Sequence, residues 1–290
     1  MKRIDYDELF FYIDDFCKGF EPWYHRQLLG SGAKKRNRKG KMSLSEIMTI
    51  TIGFHRSGMS CFKYYYEDLQ RNYRSEFPDM VHYARFIKLV KQAFEVLLAF
   101  LKALLGKPTE YMFVDGTPIS VCHTKRRYQH KVFKGLAQSS RTSIGWFFGL
   151  KLHIILNTHG EIVRLAITPG NSSERKALLK ISKGLVGKLF GDKGYVSKKL
   201  FDQLFQQNLT LYTKLKKGMK QMLLGFKEKL MLMKRSFIET VFSSIKSLGS
   251  FEHHRHRSPI NAFVHWISAL ISYQLRDDKP SLEKALNFIS

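Results

Sequence analysis

The period of the sequence changes between Gly106 and Pro108. Upstream, apolar residues recur at helical spacing; downstream, short apolar runs alternate with turn residues and helical stretches. A glycine closely followed by a proline stops a helix and begins an extended segment, so the chain is expected to divide there. We read 1–107 as an all-helical region and 108–290 as an α/β region, a mixed sheet with helices packed on it. A length of 290 residues suits one large domain or two, and 44% hydrophobic content supplies a buried core.

In the first region Ser43 and Glu46 form a capping box that opens Leu44, Ile47, Met48 and Thr51 at helical spacing. Ser57-Gly58 then breaks the run before Phe62, Tyr65, Tyr66 and Leu69, giving helix, turn, helix. A third helix is expected from about Asp79, after Pro78, to Leu105, with Phe86, Leu89, Val90, Ala93, Phe94 and Leu97 inward. Its outward face, carrying Arg85, Lys88 and Lys91, is either a solvated basic surface or a helix that reads DNA. In the second region strands are expected over Tyr111–Cys122, Trp146–Asn157 and Glu161–Thr168, the last two joined as a hairpin. A helix capped by Ser172-Ser173-Glu174 runs to about Lys183, followed by a strand over Leu185–Phe190, a helix over Ser197–Gln207 and a strand over Leu209–Lys216. A long helix from about Lys229 to Leu248 and an apolar helix begun by Pro259, covering this second region, complete the pattern.

Lysine and arginine number 49 against 24 acidic residues, a net charge of +25. Folding does not require that excess and self-repulsion opposes it, so a polyanion is the expected partner, nucleic acid ahead of an anionic membrane. The most apolar stretches, Phe94–Leu105 and Ile260–Leu275, are short and interrupted by Glu95, Lys102, Asn261, His265 and Gln274, so no membrane insertion is expected. Asp5, Asp7 and Glu8 stand where a signal peptide needs an apolar run, and Cys17, Cys61 and Cys122 are too dispersed for a disulfide framework or a cysteine zinc site. A cytoplasmic location follows. Six cations in eight positions, Lys34, Lys35, Arg36, Arg38, Lys39 and Lys41, form a basic loop that can bury nothing and is expected to grip DNA phosphates without reading sequence.

In so basic a chain a carboxylate at the end of an apolar strand needs a reason, because it is costly beside a sheet unless it is paired or holds a cation. Asp115 follows Tyr111-Met112-Phe113-Val114 and precedes Gly116; Asp192 ends the Leu185–Phe190 run and precedes Lys193-Gly194-Tyr195. Taken singly, each also reads as a turn or capping residue. On the long helix, Arg235, Glu239 and Lys246 fall within roughly 60° of one another, opposite Phe237, Val241, Ile245 and Leu248. Glu228 competes as a third acid but lacks the aligned Arg and Lys. Three acids from two strands and a helix would form an oxygen-rich site suited to Mg²⁺ or Mn²⁺, where a pair of ions serves phosphodiester displacement. Neither a P-loop nor a Gly-rich dinucleotide fingerprint is present. Lys151 and His153 share one face of the next strand and are either DNA or water contacts or ordinary strand residues. His253, His254 and His256 fit backbone contact or solvent better than zinc.

Phe113-Val114-Asp115-Gly116, the run from Gly145 to His153, Thr168-Pro169-Gly170-Asn171, Gly191-Asp192-Lys193-Gly194-Tyr195 and the Arg-x₃-Glu-x₆-Lys helix together resemble the DDE transposases of bacterial insertion sequences. The chain is most similar to the insertion sequence 982 family, over essentially its whole length. In related enzymes the helix reads Tyr-x₂-Arg-x₃-Glu-x₆-Lys; here Leu232 occupies the first position.

The resemblance implies an RNase H-like catalytic domain over 108–290, preceded by a helical DNA-binding region. It implies Asp115, Asp192 and Glu239 as the catalytic, metal-holding residues for two Mg²⁺ ions, with Mn²⁺ substituting. Arg235 and Lys246 would orient Glu239 and grip phosphate, and Lys193 joins the implied DNA contacts. The implied partner is double-stranded DNA, at transposon ends and target, bound by a homodimer in a bacterial cytoplasm at the nucleoid. The implied activity is nicking at the ends followed by attack of a 3′-hydroxyl on target DNA. About 46 residues separate Asp192 from Glu239, too few for the inserted domain that some relatives carry there. A DNA-binding relative with lost chemistry and an RNase H-like nuclease without strand transfer are the competing readings. Joined product, cleavage alone and a gel shift alone separate the three.

Replacing the six cations between Lys34 and Lys41 with Gln or Ser should weaken binding to end and random DNA alike. The slope of log affinity against log salt should flatten by up to about 0.9 for each phosphate no longer neutralised. Titration of labelled DNA across salt concentrations measures both, and a weakening confined to transposon ends would make the loop a specificity element.

Overall fold

The computed structural model describes residues 5–32, 40–143, 145–214, 224–252 and 256–282. Lys34, Lys35, Arg36, Arg38 and Lys39 of the basic loop, and His253 and His254, lie outside the described residues. Five helices come first: α1 (Tyr6–Gly30), α2 (Leu44–Gly53), α3 (Phe62–Asn72), α4 (Tyr83–Val90) and α5 (Phe94–Ala103). Then follow β1 (Tyr111–Cys122), β2 (Gln138–Arg141), β3 (Trp146–Leu156), β4 (Ile162–Pro169), α6 (Glu174–Ile181), β5 (Gly187–Gly191), α7 (Lys198–Phe205) and β6 (Leu209–Thr213). The helices α8 (Phe226–Met233), α9 (Phe237–Lys246) and α10 (Pro259–Gln274) complete the described chain. It packs as two compact units, one built on α1–α5 and α10, the other on the six strands with α6–α9.

In the helical unit, α2 is held at its start by the capping box: Ser43 Oγ accepts from the Glu46 N–H at 3.1 Å and the Glu46 carboxylate accepts from the Ser43 N–H at 2.6 Å. From Ile47 to Gly53 every residue of α2 is buried, and Thr49 and Thr51 donate their hydroxyls to the Ser45 and Ile47 carbonyls. A helix enclosed on all sides thereby keeps both hydroxyls satisfied. The helix expected from Asp79 to Leu105 is instead α4 and α5, joined by a 3₁₀ turn over Lys91–Ala93. Tightening to three residues per turn resets the register, so that Phe86 and Val90 of α4 and Val96, Leu97 and Phe100 of α5 are all buried.

The last helix differs from expectation in its placement: α10 belongs to the helical unit. Trp266, fully buried, donates its indole N–H to the Phe251 carbonyl at 3.0 Å, and His265 Nε2 lies 3.2 Å from the Ser250 carbonyl. Among the described residues no helix is long and apolar enough to cross a membrane.

In the other unit the strand order is β2-β3-β1-β5-β6, with β4 also paired to β3. β1 and β3 are antiparallel, with Gly116 opposite His153; β5 joins β1 in parallel and β6 joins β5 in parallel. Parallel neighbours need crossover connections, and α6 and α7 supply them. Alternation sorts β1 between two faces. Met112 and Val114 enter a core with Leu189 and Leu211, closed by Leu178 and Ile181 of α6 and by Leu200 and Leu204 of α7. Phe113, and by the same alternation Asp115, belong to the opposite face. There Phe113 packs on Phe190, Phe190 stacks on Tyr212, and Phe237 of α9 meets Phe113 edge-on at 5.8 Å.

Alternation in the sequence does not announce β2, because Gln138-Ser139-Ser140-Arg141 is polar throughout; pairing with β3 holds it in place. β2 and β4 share one edge of β3 and meet near Gly149, whose carbonyl accepts from the Gly170 N–H at 3.0 Å. Gly149 lies opposite Ser120, where the β1–β3 register shifts, and a Cβ there would overlap the Ile119 carbonyl oxygen.

Gly149→Ala should therefore force the β1–β3 pair apart and destabilise the fold by about 1–3 kcal/mol, as overpacking does. Urea unfolding measures this as a lowered midpoint at unchanged slope; an unchanged midpoint would show that the strands have room to yield.

Candidate active site

The helix expected from about Lys229 to Leu248 is divided by a 3₁₀ turn, Lys234–Ser236, that joins α8 to α9. Arg235 lies in this turn, and its guanidinium stands 3.6 Å from Asp115 Oδ2, 3.5 Å from Asp192 Oδ1 and 4.0 Å from Glu239 Oε1. One cation thus lies within ion-pair distance of acids from β1, from the end of β5 and from α9. Side-chain exposure rises from 21% at Asp115 to 50% at Asp192 and 64% at Glu239, so Asp115 forms the base of the site and Glu239 its rim. Arg235 itself is 14% exposed, and its Nε is buried without a partner.

Asp115 Oδ1 accepts from the Gly116 N–H at 2.8 Å. Burial nevertheless pushes its pKa up to about 6, because the opposing pull of the Gly116 N–H and of Arg235 does not compensate for desolvation and the fields of Glu174 and Asp192 push the same way. Glu174 is a neighbour whose sequence position suggests only a helix cap; the cap is not made through Ser173, and Glu174 instead accepts from Lys151 Nζ at 3.0 Å. Its only signal in the sequence is its place just after Thr168-Pro169-Gly170-Asn171. Lys151 is 11% exposed in that pair. His153 is buried, with Nε2 3.0 Å from Thr168 Oγ1 and Nδ1 unpartnered. Burial, reinforced by Lys151, lowers its pKa to about 4, so the ring is neutral at neutral pH. Tyr195 is fully buried with an unpartnered hydroxyl, and burial raises its pKa well above the usual value, with Asp115, Glu174 and Asp192 adding to it.

Lys193 is exposed in the 3₁₀ turn directly after Asp192, and Lys246 closes α9. Arg85 and Lys88 are exposed on α4 in the helical unit, where Lys41 is also exposed. Glu228 on α8 accepts from Lys188 at 2.8 Å, and Lys188 also binds Glu110 at 2.9 Å; the hydrogen bond from Lys188 lowers the Glu228 pKa. His256 stands with its ring 4.9 Å from that of His265 in the helical unit.

Among the described residues no three acids, imidazoles or thiols form a ready-made metal cage. Asp115, Asp192 and Glu239 are drawn toward Arg235 instead. Their donor set still suits a hard divalent ion: it consists of carboxylate oxygens, one positive charge faces three negative ones, and Asp192 and Glu239 are exposed enough to turn. The unpartnered Tyr195 hydroxyl beside them adds polar capacity for the waters that such an ion retains.

No curated protein matches the sequence. Among solved structures, the piggyBac transposase synaptic complex with hairpin DNA aligns at a TM-score of 0.51 and 9% identity, over 83% of this chain and 66% of that one. The chain therefore spans just under two thirds of that protein's length, and the likeness is one of fold. The Mos1 transposase paired-end complex with left transposon end aligns at 14% identity over 67% of this chain and 66% of that one, but its TM-score of 0.20 carries no argument. Residues 105–259 match the family described as the transposase DDE domain, a stretch that includes β1, β5 and α9 with their three acids. Since that match takes in more than half of its length, the chain belongs to the DDE transposase family.

Proposed function

We propose that this chain is the DNA transposase of a bacterial insertion sequence, most similar to the insertion sequence 982 family. It nicks the element's ends and joins the freed 3′-hydroxyl to target DNA. The observation that carries this reading is the gathering of Asp115, Asp192 and Glu239 around Arg235 in a chain of the DDE family. In this reading the region 108–290 is an RNase H-like catalytic domain, the region 1–107 binds DNA, and a homodimer holds paired ends.

Asp115, Asp192 and Glu239 would hold Mg²⁺, or Mn²⁺ in its place, as a pair of ions in the working complex. The chemistry such ions would supply there is activation of the attacking oxygen and stabilisation of the leaving one. The chain's own residues prepare that chemistry. β1 carries Asp115 and its parallel neighbour β5 ends immediately before Asp192, and the Phe113–Phe237 contact fixes the start of α9, which presents Glu239. Arg235 neutralises part of the carboxylate charge before loading and lies within reach of a phosphate afterwards. Lys193 and Lys246 add phosphate contacts.

Asp115→Asn, Asp192→Asn and Glu239→Gln should each abolish cleavage of labelled end DNA while a gel shift remains, since each removes a ligand charge with little change in volume. Wild-type cleavage by any of them removes that residue from the site. The native chain should be silent without divalent ion, active with Mg²⁺ or Mn²⁺ and inactive with Ca²⁺, whose looser coordination misplaces the reacting oxygens; activity in Zn²⁺ alone would overturn the carboxylate assignment.

Asp115 also makes stability depend on pH. Its pKa, about 6 in the folded chain against an ordinary 3.8, means that the folded state holds this proton more tightly, so its contribution to stability falls as pH rises from about 4 to about 6. Without metal, Asp115→Asn should be more stable than the parent at pH 7 by about 3 kcal/mol, with most of the gain gone by about pH 4. Chemical unfolding at both pH values measures it; a gain that persists in acid would assign the effect to something other than this carboxyl.

A further inference from the structure

From Gly116 to Gly160 the chain has seven lysines and arginines and not one acidic residue. Six of the seven fall between β1 and β3, in the segment that ends with the edge strand β2: Lys125, Arg126, Arg127, Lys131, Lys134 and Arg141. Among the described residues, Lys125, Arg126, Lys131, Lys134 and Arg141 are exposed and none forms an ion pair. The segment is anchored. Phe133 is fully buried, Ala137 is buried, and His130 packs on Phe133 at 5.8 Å and on Phe148 of β3 at 6.0 Å.

On this anchored base two large rings face solvent, Tyr128 at 85% and Trp146 at 62% exposure. Each is accompanied by an arginine. The Arg127 guanidinium lies 4.6 Å above the Tyr128 ring and donates to its hydroxyl at 2.6 Å, while Arg141 sits directly opposite Trp146 in the β2–β3 register. Trp146 stands at the tip of the hairpin, where the Thr142 N–H donates to the Gly145 carbonyl at 2.8 Å. Leaving such rings in water forgoes burial, and unneutralised cations around them repel one another.

We propose that this β2–β3 hairpin and the basic segment before it form a DNA-binding surface that takes unpaired nucleotides, phosphates on the cations and bases stacked on Tyr128 and Trp146. A base face is available to a ring only where pairing and stacking are interrupted, as at an overhang, a gap or a melted end. The surface is separate from the carboxylates. Along β1, Cys122 lies seven positions beyond Asp115, roughly 23 Å at ~3.3 Å per residue, which corresponds to about seven base pairs of duplex. It would therefore hold DNA some two thirds of a turn from the bond being cut. The inference rests on the reading of the chain as a DNA transposase.

Fluorescence anisotropy with the full-length Asp115→Asn chain tests it on labelled duplexes of one sequence, either blunt or carrying a single-stranded overhang. The overhang should bind more tightly. Tyr128→Ala with Trp146→Ala should cost on the order of tenfold on the overhang and less than about twofold on the blunt duplex, and Phe at both positions should restore most of that affinity. Gln at Lys125, Arg126, Lys131 and Lys134 should weaken both duplexes and flatten the salt dependence by up to about 0.9 for each phosphate left without its cation. Equal binding of the two duplexes by the parent, equal weakening on both from the Ala pair, or no rescue by Phe would overturn the inference. If neither duplex binds, the proposed function fails with it; if the blunt duplex binds and the overhang adds nothing, only this inference fails.

Discussion

The guanidinium of Arg235, shared among three carboxylates, sets the electrostatic balance of the sheet unit. Asp115 lies on the inner part of β1, where a bare negative charge is poorly solvated, and a single cation does not make up the deficit. The consequence is a site whose acids outnumber their counter-charge. Such a site is held at a cost to the fold and is relieved by any further cation that enters.

That balance depends on an apolar contact a short distance away. Alternation along β1 sends Met112 and Val114 into the core with α6 and α7 and leaves Phe113 and Asp115 for the other face. Phe237 seats its ring against Phe113, and the 3₁₀ turn just before it carries Arg235 to the aspartates. Packing thus does the positioning, and the polar groups take their places from it. Lys151, Glu174 and His153 form a second polar group near Asp115, in which the buried Lys151 is held by the half-buried Glu174 and the buried His153 by its Thr168 contact.

Much of the fold was legible because it obeys simple periods. β1 has the bounds that its alternation suggests, β3 and β4 differ by a residue or so at their ends, and the capping box opens α2 where Ser43 and Glu46 indicate. The breaks at Lys91–Ala93 and Lys234–Ser236 were not legible, since neither contains a proline or glycine and each is imposed by what the flanking helices bury. β2 escaped notice because it is polar. At the site, spacing put Arg235 and Glu239 on one helical face, yet that is the longest of the three Arg235 contacts; the broken helix turns the guanidinium toward residues far away in sequence. Glu174 could not be found by spacing at all, because its approach to Asp115 exists only once β3 and β4 are paired and α6 follows them.

β2 carries a further consequence for the sheet as a whole. It is the outermost strand on its side, four residues long, with no hydrophobic side chain and with Arg141 at its end. An exposed strand edge is a template on which other chains can add and aggregate, and a short, polar, charged edge resists this. On that edge of the long apolar strand β3, this strip of glutamine, serine and arginine covers the stretch from Trp146 to Gly149, and β4 covers Leu150 to Leu156, so β3 presents no open edge over either stretch.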